Sequence, residues 1–514
     1  MTDLKNSNNS SRLTSGALLA RNTVFNLVGQ GIPLLVAIFA IPVLINGLGL
    51  DRFGVLTLAW MVIGYFSLFD LGLGRALTKL VAEKLGSAQE DEIPALVWTC
   101  LLLMLVLGVI GAIMLGLFTP WLVHYILKIP EELQPETLQS FYLLAITIPF
   151  IISSAGLRGI LEAMQRFGVI NAVRIPMGMF AFLGPLLVLT FSQSLFPIVL
   201  VLTIARLVTW MIYIMLCLHV IPALKKGVVI KRELMGLMLR FGGWITVSNI
   251  VSPLMVYLDR FLIGALLSMA AVAYYVVPYE FVTKLLIIPG ALVSVIFPAF
   301  STSFVKDHNR TTLLFGKSIK YIFLVLFPIT LIIVTLGGEG IDLWLGKEFA
   351  QQSTRVLQWL TIGVFINSLA QLPFALIQGI GRPDLTAKLH MIELPFYLLL
   401  FWVMIGAYGI EGAAIAWLAR VTVDTIILFG MSWFLLSKSI LIIQRMTLVF
   451  VIALLALGCA MLPMGITIKA IFFMMILPAF ALSSWFLILA QEERVVMQHW
   501  LNRGLILIRR TYNG

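Results

Sequence analysis

Charge is scarce in this chain. Asp, Glu, Lys and Arg make up 11% of its 514 residues, whereas 61% are hydrophobic. With a mean hydropathy of +1.04, a soluble domain is excluded, because no fold of this length hides so much apolar surface from water. Cysteine is scarce too. Cys100, Cys217 and Cys459 sit inside apolar runs without metal-ligand spacing and read as small core residues. The five histidines are scattered, so no metal site is expected. No glycine-rich loop ends in Lys-Ser or Lys-Thr, which argues against ATP hydrolysis. Long polar loops are lacking as well. The largest, Thr119 to Glu136 and Gly337 to Thr354, hold no nucleophile and base. A membrane polymerase or ligase is therefore disfavoured, and neither an enzyme nor a cofactor is expected. The apolar runs do not alternate with polar residues, which excludes a barrel.

What is present is a series of fourteen apolar runs, each long enough to cross a bilayer as a helix. The chain reads as an all-α polytopic membrane protein. Its expected organisation is a tail at 1–16, an N-lobe of six spans at 17–221, a basic linker at 222–237 and a C-lobe of six spans at 238–437. Spans thirteen and fourteen follow at 443–490, then a tail at 491–514. No cleavable leader is read before the first span. The net charge of +11 could suggest nucleic acid, but its distribution argues otherwise. With fourteen spans, most of the 35 Lys and Arg fall on one side. Arg52, Lys128, Lys347, Arg355 and Lys469 are on the other, with Arg260 nearer that end. This bias orients both termini to the cytoplasm.

The two six-span halves repeat weakly. LEAMQRFGVINA (Leu161–Ala172) follows the fourth span and IQGIGRPDLTA (Ile377–Ala387) the tenth, so that Arg166 matches Arg382. Arg206 and Arg420 match near the middle of later spans. Six spans per half make the repeats parallel, with a cleft between two lobes.

Against this background, RNTVFNLVGQGIPLLVAIFAIPVLINGLG (Arg21–Gly49), DRFGVLTLAW (Asp51–Trp60) and FDLGLGRALTK (Phe69–Lys79) resemble the start of bacterial polysaccharide flippases for O-antigen and exopolysaccharide repeat units. These belong to the multidrug/oligosaccharidyl-lipid/polysaccharide exporter superfamily. The resemblance implies translocation of undecaprenyl-pyrophosphate-linked oligosaccharides from the cytoplasmic to the outer leaflet of the bacterial inner membrane. It implies alternating access, with spans one, two, seven and eight lining the cavity. Membrane lipid, H+ or Na+ as a coupling ion, and a polymerase and chain-length regulator are the further partners expected. The first span lacks the arginine–aspartate pair of the lipid II flippase branch and the acidic cation-site residue of multidrug antiporters. A cation-coupled multidrug or metabolite antiporter is the alternative reading.

The residues that bear on mechanism are the charges inside spans. One charge at the bilayer centre costs roughly 2.5–3.5 kcal/mol, so such groups pair or face a wet interior. Arg206, Arg260, Lys284 and Arg420 are expected to bind the anionic substrate, since arginine engages phosphate bidentately. Asp259, Glu280, Glu393 and Asp424 are expected to pair with them or to carry the coupling ion. Glu280 and Lys284 share a helix face, as do Arg420 and Asp424, and both pairs also read as simple helix–helix glue. Asp259 and Arg260 point apart, so at least one needs a partner on another helix. Arg260 and Lys284 differ in expected depth by roughly 13 Å, which suits successive stations for one anionic head. Asp70, Gly72, Gly74 and Arg75 break the second span and are expected to form a gate, with Asp70 also suited to capping the helix that follows.

Overall fold

In a computed structural model the chain is described at residues 16–67, 72–86, 89–164, 166–236, 255, 257–306, 308–436, 441–489, 491 and 493–494. Every regular element among these is helical. The first seven helices are α1 (Gly16–Leu48), α2 (Leu50–Phe66), α3 (Leu73–Gly86), α4 (Ile93–Trp121), α5 (Gln134–Ala163), α6 (Phe167–Leu189) and α7 (Leu195–Val220). Helix α8 covers 257–266. It is followed by α9 (Met269–Thr283), α10 (Ile287–Lys306), α11 (His308–Leu345), α12 (Lys347–Gly379), α13 (Pro383–Leu435), α14 (Leu441–Ala460) and α15 (Ile466–Ser483). Ten of the described helices are long and apolar enough to cross a membrane. Most of the expected seventh span, 238–265, lies outside the described residues.

Two expected boundaries differ. The second span is two helices, α2 of 17 residues and α3 of 14. At 1.5 Å per residue neither crosses a hydrocarbon layer of about 30 Å. The Ser67 N–H and hydroxyl both donate to Ile63 O, which closes α2, and Gly72 enters α3 at a φ of 72°. Conversely, the expected spans eleven and twelve are joined without a loop. Helix α13 runs through 53 residues and reverses at Gly409, where φ is 57° and ψ is −137°. A Cβ on Gly412 would fall on the carbonyl of Met404, so the reversal needs bare backbone at both positions.

The repeat seen in sequence is also written in hydrogen bonds. Arg166 N–H donates to Leu161 O at 2.9 Å, and Arg382 N–H donates to Ile377 O at 3.1 Å. The two arginines have similar backbone angles, φ −86° and ψ 45° against φ −114° and ψ 48°. Each then opens the next helix, which makes the two turns equivalent.

The chain divides into two compact units, Met1–Val277 with His390–Ala413, and Pro278–Leu389 with Ala414–Gly514. The first has a core of Leu73, Leu77, Cys100, Met104, Ile148 and Ile152. Cys100 and Cys217 are buried there as expected, each with its thiol directed at a backbone carbonyl, Leu73 O and Leu157 O. Cys459 is not a core residue but is exposed on α14. Lys84 and Glu92 bridge the connection between α3 and α4 at 2.8 Å. The hydrogen bond from the ammonium, with its charge, holds the Glu92 carboxyl below the usual carboxylate range.

One end of this unit is tied by polar contacts. Glu136 accepts from Arg52 Nε at 2.7 Å, from the Ser194 hydroxyl at 2.7 Å and from Leu195 N–H at 3.0 Å. The turn between α8 and α9 is served from outside its own helices. Lys128 donates its N–H to Gly264 O at 2.9 Å and its ammonium to Leu266 O at 2.6 Å. Asp51 accepts from Ala270 N–H at 3.1 Å. Helix ends leave such carbonyls and N–H groups without intrahelical partners. Backbones also touch here, since a Cβ on Gly54 would sit on the Met269 carbonyl.

In the second unit, α14 and α15 rest on α11 and α12 through aromatic rings. Phe480 meets Phe327 at 4.5 Å, and Phe450 stacks on Phe365 at 5.9 Å. Polar ties hold the same helices. Arg355 Nη1 donates to Met461 O at 2.8 Å, and Lys469 pairs with Glu339 at 2.7 Å. Buried Lys320 of α11 grips both carboxylate oxygens of Glu493, which also accepts from Tyr321.

Candidate substrate site

Arg206, one of the predicted substrate-binding residues, lines a cavity. The cavity has a volume of about 240 Å³ and lies within the first unit, among α5, α6 and α7 at the broken end of α2. Two further arginines line it, Arg158 from α5 and Arg174 from α6, together with Ser67, Thr209 and Tyr213. The three guanidiniums come from three helices, roughly one, two and three turns inside the helix ends at Ala163, Phe167 and Leu195. Arg158 pairs with Glu162 at 3.3 Å. Among the described residues Arg174 and Arg206 form no salt bridge, so three cations meet one carboxylate. The excess at this cavity is two positive charges.

Helix packing sets this geometry. Gly178 on α6 leaves room for Pro33 of α1, and Gly108 on α4 lets the backbone of Pro149 approach from α5. Phe150 and Trp210 pack edge to face with centroids 5.1 Å apart, which fixes α5 against α7 next to the arginines. The break after Ser67 adds a hydroxyl to the wall, and irregular backbone at membrane depth is tolerated where it borders a wet cavity.

The other predicted residues lie elsewhere. Asp259 and Arg260 on α8 are 1% and 3% exposed. A partner on another helix is the Tyr275 hydroxyl of α9, which donates to Asp259 at 3.0 Å. The Arg260 N–H also donates to Asp259, at 2.7 Å, and the Arg260 guanidinium lies 5.3 Å from the Tyr257 ring centre. Lys284 and Glu280 form a 3.1 Å ion pair at the 3-10 turn between α9 and α10, with side chains about 40% exposed. Glu393 and Asp424 are buried in the two arms of α13, and Arg420 lies one turn before Asp424. Gly72, Gly74 and Arg75 stand at the start of α3, and Asp70 lies outside the described residues.

The comparisons agree with one another. Residues 19–304 match the family model described as polysaccharide biosynthesis protein. A Shigella flexneri protein named "Putative O-antigen transporter" is 34% identical over 411 residues, covering 80% of this chain and 96% of its own length. The "Probable low-salt glycan biosynthesis flippase Agl15" of Haloferax volcanii is 25% identical over 182 residues, 35% of this chain and 38% of its own. An inward-facing multidrug resistance MATE family transporter of the MOP superfamily superimposes with a TM-score of 0.68 at 15% identity, covering 80% of this chain and 98% of its own. That likeness establishes the fold. The chain is a multi-pass membrane protein with the fold of MOP-superfamily transporters, and it belongs to the polysaccharide biosynthesis protein family.

Proposed function

We propose that this protein flips oligosaccharide repeat units, linked through pyrophosphate to undecaprenyl, from the cytoplasmic to the outer leaflet of a bacterial inner membrane. Its family and its relatives' names supply the sugar and the transport. The observation that carries the reading is the unbalanced positive charge of the arginine cavity. Uncompensated cations inside an apolar body are costly, and an anionic cargo offsets that cost. A carrier of cationic drugs would need the opposite sign. In this reading both termini are cytoplasmic, and coupling to H+ or Na+ runs through the buried carboxylates of Asp259, Glu393 and Asp424.

Lys284 belongs to the same reading. Its pair with Glu280 is too exposed to contribute much to stability, so the ammonium is available to cargo at little cost. Arg260, with Asp259 orienting it, is the second station.

Deletion in the native host is expected to leave lipid-linked repeat units on the cytoplasmic leaflet and to abolish surface polymer. The wild-type chain restores export, Lys284→Ala restores less than a tenth of it, and Lys284→Arg restores an intermediate amount. Export that persists without the chain would remove the flippase function. If Glu280→Ala combined with Lys284→Ala restores full export, the pair is a helix tie, and Lys284 has no role in binding.

A further inference from the structure

The cavity of Arg158, Arg174 and Arg206 is small for a repeat unit. Pockets that enclose a drug-sized ligand run to about 300–1,000 Å³, and this one has about 240 Å³. A chain of sugars does not fit, but a linker does. Charge narrows the choice. Three guanidiniums line the cavity and one of them, Arg158, pairs with Glu162, which leaves two positive charges. A diphosphate joined at both ends, to a lipid and to a sugar, carries two ionised oxygens. A single phosphate diester carries one and would leave the cavity unbalanced.

Resting on the flippase reading for its cargo, we infer that this cavity is a diphosphate site. Arg174 and Arg206 supply the fixed forks, each free to take a phosphoryl group bidentately. Arg158 is shared. It lies against Glu162 at 3.3 Å and turns to the ligand when a second phosphoryl group arrives. The Thr209 and Tyr213 hydroxyls in the wall can donate to the remaining phosphoryl oxygens. The site thus reads the linker and is blind to sugar identity, which is set by other parts of the molecule.

The test uses the purified full chain in nanodiscs of zwitterionic lipid, with inorganic pyrophosphate, farnesyl diphosphate and inorganic phosphate as probes. Both diphosphates are expected to bind at least tenfold tighter than phosphate. Arg174→Gln and Arg206→Gln should each weaken diphosphate binding at least tenfold, and Glu162→Gln, which removes the competing carboxylate, should tighten it. The Glu162 variant decides the matter if the arginine variants fold poorly, since it keeps all three cations. Equal binding of phosphate and pyrophosphate would make this a general anion site. Binding that ignores all three substitutions would place the ligand elsewhere. Farnesyl diphosphate binding without pyrophosphate binding would make the lipid chain, not the linker, the recognised part. The readout is independent of export. A chain that binds diphosphate but is dispensable for export leaves the site standing and removes the flippase reading. A chain that exports but does not bind diphosphate does the reverse.

Discussion

Joining α2 to α9 through thiols at positions 51 and 270 is expected to stop export. Asp51 accepts the Ala270 N–H while Lys128 serves the carbonyls of Gly264 and Leu266, so the α8–α9 turn is held at both helix ends. Three such bonds, each with about 0.5–3 kcal/mol depending on charge, contribute on the order of 4 kcal/mol together. That is close to the roughly 5.5 kcal/mol needed to move a two-state equilibrium from one extreme to the other. It is also weak enough to break in each cycle. In the proposed orientation this end faces the outer side, where a flippase must open to release cargo. Asp51→Cys with Ala270→Cys, in a background lacking exposed Cys459, is expected to lose at least ten-fold in surface polymer on treatment with a short bis-thiol reagent. A cleavable reagent followed by reduction should return it. A matched pair at Arg52 and Glu136, which joins α2 to α5, should be tolerated. Normal export by the cross-linked 51–270 chain would mean that this end stays shut throughout the cycle.

Lys320→Ala is expected to be the most damaging single substitution for stability in the second unit. Its side chain is 7% exposed and grips Glu493, 16% exposed, beyond the last span. Removing one partner of a buried pair leaves an orphaned charge, at a cost of about 3–5 kcal/mol. A clear fall in the thermal midpoint of the purified protein, and reduced membrane yield, should follow. Lys320→Met combined with Glu493→Gln should recover most of the loss, because neither change leaves a charge behind. A single mutant with an unchanged midpoint would show that the Lys320–Glu493 pair contributes nothing to the fold.

Much of the architecture was legible because lipid permits few solutions. Runs of apolar residues mark the helices, and the matched turns at Arg166 and Arg382 betray the repeat. The exceptions have physical causes. Asp70, Gly72 and Gly74 mark a break in the second span, but the apolar run from Phe53 does not show that the first helix closes as early as Ser67. The reversal at Gly409 needs no polar loop and so looks like an ordinary short connection. Of the cavity, only Arg206 could be found by inspection, since it lies deepest in its helix. Arg158 and Arg174 lie closer to helix ends, and a count of charges per side absorbs them as orientation signals. Their distance inside α5 and α6 was the available clue. Tyr275 was missed for a different reason: it is a neutral donor to Asp259, and bookkeeping of charges does not look for hydroxyls.

The charge imbalance of the arginine cavity has an electrical consequence. In the flippase reading, a site loaded with a doubly negative linker is neutral, and the membrane voltage does no work on it as it changes sides. Empty, it carries two positive charges. A cell interior that is negative draws those charges back toward the cytoplasm, with up to about 4.6 kcal/mol per 100 mV if they cross the whole field. The voltage then acts on the return stroke and resets an unloaded carrier. The signature is a transient current from the empty protein that vanishes when diphosphate is bound and when Arg174 and Arg206 are both neutralised.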